Sequence, residues 1–86
     1  MSLDNKLVYM ANQIGRYFAY QPDEKAIANT ADHLKKYWDP RMRKAIFDHV
    51  AHGGAGLQPL VLNAVLALKA AQEQADADRK KANGAA

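Results

Sequence analysis

The chain has 86 residues, a formal net charge of +3 and no cysteine. That length holds one small domain at most. The missing thiols exclude a disulfide framework, cysteine-ligated zinc, iron–sulfur ligation and a thiol nucleophile. No apolar run approaches the ~20 residues needed to span a bilayer. The N-terminus has no basic region followed by an apolar stretch, so neither a secretory signal nor membrane association is expected.

The pattern predicts an all-α fold, a small bundle of three to four short helices. The first helix spans Asp4 to Tyr20, with Leu7, Met10, Ala11, Ile14 and Phe18 recurring at steps of three and four. Pro22 then suits a first-turn position, with Asp23 and Glu24 at the positive end of the helix dipole. The second helix runs to about Tyr37, and its apolar stripe is read as Ile27, Ala31, Leu34 and Trp38. Asp32 and Lys36 form a favourable i,i+4 pair on it.

Trp38-Asp39-Pro40-Arg41-Met42-Arg43 is the corner around which the chain is organised. Pro40 pushes the preceding residue out of the α region and fits the first position of the next helix. Asp39 can cap that helix through its carboxylate. Trp38 has two readings, a core aromatic or a recognition surface shared with Arg41 and Arg43. The third helix runs from Pro40 to about His52, with Met42, Ile46, His49 and Val50 inward. Gly53-Gly54-Ala55-Gly56 ends it, Gly53 or Gly54 suiting the left-handed position after the C-cap. The fourth helix starts at Pro59, with Leu57 and Leu62 spaced for a hydrophobic staple. Its broad apolar face comprises Leu57, Leu60, Val61, Ala64, Val65 and Leu68, while Leu62 and Leu66 point away from the centre of that face. A helix apolar nearly all round needs a second cover. This predicts partner contact through Leu62 and Leu66, and self-association when the chain is isolated. The helical domain is expected over residues 1–70. Residues 71–86, alanine-rich with little apolar surface, are expected to fray and then become disordered towards Ala86.

Chemistry-bearing patterns are sparse. His49 and His52 share a helix face, but the usual metal-ligand spacings are missing and a last-turn position suits a cationic side chain. No metal site is expected. The basic run Lys35, Lys36, Arg41, Arg43 and Lys44 could meet nucleic acid, yet no motif of a known reader accompanies it. A small basic nucleic-acid-binding or regulatory module is therefore the alternative reading. The glycine-rich turn follows a helix and lacks the Gly-Lys-Ser/Thr ending of a phosphate loop. No catalytic residue is assigned.

Taken together, several stretches resemble the delta subunit of soluble NAD-dependent, molybdenum-containing formate dehydrogenases. They are Lys6-Leu7-Val8 with Met10 to Ile14, Ala31-Asp32-His33-Leu34, Trp38 to Arg43, Gly53-Gly54-Ala55-Gly56-Leu57 and Pro59-Leu60. The resemblance covers about residues 6–66 and leaves out the alanine-rich tail. It implies a non-catalytic accessory subunit of a bacterial cytoplasmic complex that oxidises formate to carbon dioxide and reduces NAD. It implies that the molybdenum cofactor, iron–sulfur clusters, FMN and the NAD site lie in the catalytic and electron-transfer subunits. The delta chain then serves assembly, stability or molybdenum-cofactor competence. The residues expected to touch partners are Trp38, Arg41, Arg43, Gly53, Gly54, Gly56, Leu62 and Leu66, with Asp39 and Pro40 as the structural cap.

Overall fold

The computed structural model describes residues 3–84, with side chains described over residues 5–80. The described residues form four helices and no strand: α1 (Leu3–Phe18), α2 (Asp23–Tyr37), α3 (Pro40–Ala51) and α4 (Pro59–Gly84). Each of the last three begins at or just after a proline, as expected where the first-turn N–H has no intrahelical partner.

The corner works as the sequence predicts. The Asp39 carboxylate accepts from the Met42 N–H at 2.9 Å, and Pro40 opens α3. At the other end of α3, Gly53 and Gly54 both have positive φ (112° and 67°). The Gly54 N–H donates to the His49 carbonyl and the Gly53 N–H to the Val50 carbonyl, both at 3.0 Å. This pair of bonds satisfies carbonyls that the helix end would otherwise orphan, and it requires residues free of a Cβ penalty.

The core gathers Leu7, Val8 and Ala11 of α1, Leu34 and Trp38 of α2, Ile46 and Val50 of α3, and Val61, Val65 and Leu68 of α4. The inward faces of α3 and α4 follow the predicted stripes. That of α2 is rotated. Ala26, Thr30 and Leu34 are its buried residues, while Ile27 and Ala31 are only half-buried. The reason is packing against α4, the most extensive helix contact in the molecule. Small Ala26 and β-branched Thr30 fit there better than isoleucine, although the Thr30 hydroxyl ends up buried without a hydrogen-bond partner among the described residues.

The stretch past Ala70, expected to fray, continues as helix to Gly84. Alanine has the highest helix propensity. Lys69–Glu73, Gln72–Asp76 and Gln74–Asp78 are each joined four residues apart. Among the described residues, Leu68 is the last buried side chain, and residues 73–80 are all exposed. The disorder expected at the very end falls on Ala85 and Ala86, which lie outside the described residues.

Candidate functional site

Two sides of α1 position the surface features of the molecule. Val8, Ala11, Asn12 and Gly15 face α4 and the α3–α4 turn. There the backbones come close: a Cβ on Gly15 would collide with Val61 Cγ2. Asn12 locks this side. Its Nδ2 donates to the Gly56 carbonyl at 2.9 Å, and its Oδ1 accepts from the Gln58 N–H at 3.0 Å, at the start of α4.

The opposite side of α1 leaves a cleft against α2. Met10, Gln13, Ile14, Tyr17 and Phe18 line it from α1, with His33, Tyr37 and Trp38 from the far end of α2. Its volume is about 640 Å³. The Phe18 and His33 rings meet edge-on at 6.3 Å between centroids, and the His33 and Tyr37 rings lie tilted to each other at 4.6 Å. Tyr17 and Tyr37 stand at its edges, 73% and 72% exposed. Tyr9, whose hydroxyl accepts from Gln13, lines a separate groove with Val8, Asn12, Ala55 and Gly56. Tyrosine is enriched where proteins meet, because one ring supplies both apolar area and a polar tip. Sequence reasoning passed over the tyrosines. The available signal was that Tyr9 and Tyr17 fall outside the core stripe of their helix, and Tyr37 outside that of α2.

The residues expected from sequence to touch partners separate into two groups. Trp38 is 5% exposed. The core reading of its ring therefore holds, and only its edge contributes to the cleft. Arg43 is engaged within the chain. Its Nη1 donates to the Lys35 and Trp38 carbonyls at 2.8 Å each, covering orphan carbonyls at the end of α2. Gly54 is buried, and a Cβ there would lie 2.9 Å from Leu62 Cδ1. Leu62 is accordingly half-buried over its own turn rather than turned outward with Leu66. Arg41, Gly53, Gly56 and Leu66 are exposed, but the fold does not gather them on the cleft.

The histidines are engaged separately. His49 Nε2 bonds the Ala55 carbonyl and His52 Nδ1 the Asp48 carbonyl, each at 2.7 Å. Among the described residues, no three histidine, cysteine, aspartate or glutamate side chains gather as a metal site. No described helix is long and apolar enough to cross a membrane. Lys36 pairs with Asp32 at 3.0 Å, and this hydrogen bond holds its ammonium pKa above the ordinary value.

No curated protein and no solved structure matches the chain. Residues 6–65 match the family described as NADH-dependent formate dehydrogenase delta subunit, FdsD. That span takes in the α1 face, the corner, the glycine turn and the first seven residues of α4, and ends before the polar extension. On this match over most of its length, the chain belongs to the family of NADH-dependent formate dehydrogenase delta subunits.

Proposed function

We propose that the chain is a non-catalytic accessory subunit of a cytoplasmic formate dehydrogenase. It docks on the catalytic and electron-transfer subunits and supports their assembly, their stability or the competence of the molybdenum cofactor. The observation that carries this reading is the border of exposed tyrosines around an apolar cleft, on a chain of this family. Tyrosines at the edges of an apolar cleft match the composition enriched where proteins meet. On the same reading, the molybdenum cofactor, the iron–sulfur clusters, FMN and NAD are held by the partner subunits. Isolated chains would self-associate through the α4 face that carries Leu66, which is 44% exposed.

The test is a dehydrogenase expressed with and without this chain. The expected result is a complex that, without it, loses subunits on size exclusion or contains less molybdenum per catalytic subunit, and regains both when the chain is co-expressed. A complex of unchanged composition, molybdenum content and formate oxidation in its absence would overturn the accessory role.

A further inference from the structure

A second groove, between α3 and α4, shares no residue with the α1–α2 cleft. Pro40, Arg43, Lys44 and Phe47 line it from α3 and Gln72 from α4, around a volume of about 360 Å³. The four α3 residues recur at steps of three, one and three, so they form one face of that helix. Two of them are cations, and no carboxylate lines the groove. Neither Arg43 nor Lys44 makes an ion pair among the described residues.

Arg43 is held ready for an anion. Its Nη1 donates to both the Lys35 and Trp38 carbonyls, which fixes the guanidinium plane within the chain. Among the described residues, its Nε and Nη2 make no hydrogen bond. A planar fork whose orientation is already set loses little entropy on meeting a carboxylate and can grip it with two bonds. Lys44, the next residue, is exposed and adds a second positive charge. Pro40 and the half-buried Phe47 supply the apolar part of the lining.

We propose, resting on the subunit reading above, that this groove receives a single aspartate or glutamate side chain of a partner dehydrogenase subunit. The carboxylate bonds to Arg43 and Lys44, and the residues that flank it are apolar and pack on Pro40 and Phe47. Charge complementarity of this kind selects the partner and fixes its register.

The charges of the chain argue against other occupants. Asp39 and Asp48 stand on either side of the two cations along α3, and a polyanion such as nucleic acid would meet them as well. Two-fold pairing of the groove with itself would set Arg43 and Lys44 against the same cations. Nor does another surface of a second copy present an uninterrupted acidic stretch. Asp32 and Glu73 are paired with Lys36 and Lys69, and Asp39 caps α3. Asp23, Glu24, Asp48, Asp76 and Asp78 each stand within four residues of a lysine or arginine.

The experiment uses the co-purified complex. Carbodiimide coupling joins a lysine amine to a carboxylate that already touches it, as an amide. It should join Lys44 to an aspartate or glutamate of a dehydrogenase subunit, identified by mass spectrometry of the digest. Lys44→Glu should keep the helical circular-dichroism signal and bind the other subunits roughly tenfold or more weakly. Arg43→Lys keeps the charge but removes the fork, and should weaken binding too. Lys25→Glu makes the same change in net charge at the start of α2 and should leave binding unchanged. Lys44 joined only to a second copy of this chain, full binding by Lys44→Glu, or equal weakening by Lys25→Glu would overturn the proposal while the subunit reading stands. So would a fluorescein-labelled oligonucleotide that binds the wild type and not Lys44→Glu, with the complex intact in both. A wild-type chain that fails to co-purify with the dehydrogenase would overturn both.

Discussion

The two sides of α1 solve opposite problems with neighbouring residues. Towards α4, Ala11 and Gly15 are small enough for two backbones to approach, and Val61 packs into the space where a Cβ would stand. Asn12 then bonds the turn that leads into α4. Towards the far end of α2, Met10, Ile14, Tyr17 and Phe18 line a cleft, although α1 and α2 also pack against each other. The closed side consumes its side chains in stability, whereas the open side leaves its aromatic rings available to another chain. One helix thus serves as a core element on one face and carries the proposed docking edge on the other.

The most severe way to break this division is to enlarge the closed side. Gly15→Leu gains helix propensity of just under 1 kcal/mol. It must nevertheless displace Val61, and we expect a net loss of about 2–3 kcal/mol in urea unfolding, typical of overpacked cores. A variant as stable as wild type would show that α1 and α4 are not in close contact. The next effect concerns the corner beneath the cleft. Arg43→Ala leaves the Lys35 and Trp38 carbonyls without their charged donor. It should cost about 1.5–2 kcal/mol. Arg41→Ala, which removes an exposed side chain, should stay within about 0.5 kcal/mol. Equal effects of the two would remove the capping role assigned to Arg43.

Asn12→Ala tests the lock on the closed side. Both of its bonds are solvent-accessible, so the expected cost is about 1–2 kcal/mol, measured by chemical unfolding. Hydrogen exchange should speed up at the Gln58 amide, which loses its acceptor. Unchanged protection there would rule out the lock. The smallest effect has the opposite sign. Thr30→Val removes a buried hydroxyl that has no partner among the described residues and keeps the β-branched shape. It should raise stability by about 1 kcal/mol. A loss of stability would mean that the hydroxyl is hydrogen-bonded in solution.

Sequence alone placed the helices well because their ends are local events. Asp39, Pro40, Gly53 and Pro59 act on their own and adjacent turns, and a stripe such as Val61, Ala64, Val65 and Leu68 records burial in its own periodicity. The family could be read from the same short stretches. What sequence could not assign was the use of residues whose partners lie far along the chain. Asn12 lies off the apolar stripe of α1, and its partner is a turn 44 residues away. Arg43 looked like a surface cation until the end of α2 came over it. Trp38 and Leu62 were candidates for the outside, and the packing of three other helices enclosed the first while the α3–α4 turn half-covered the second. The α1–α2 cleft is lined by residues from 10 to 38 on two helices, so neither helix alone encodes it. Local chemistry determined where each helix starts and stops. Only tertiary packing decided which of their faces would be left for a partner, because that depends on the distance between backbones, which no single segment encodes.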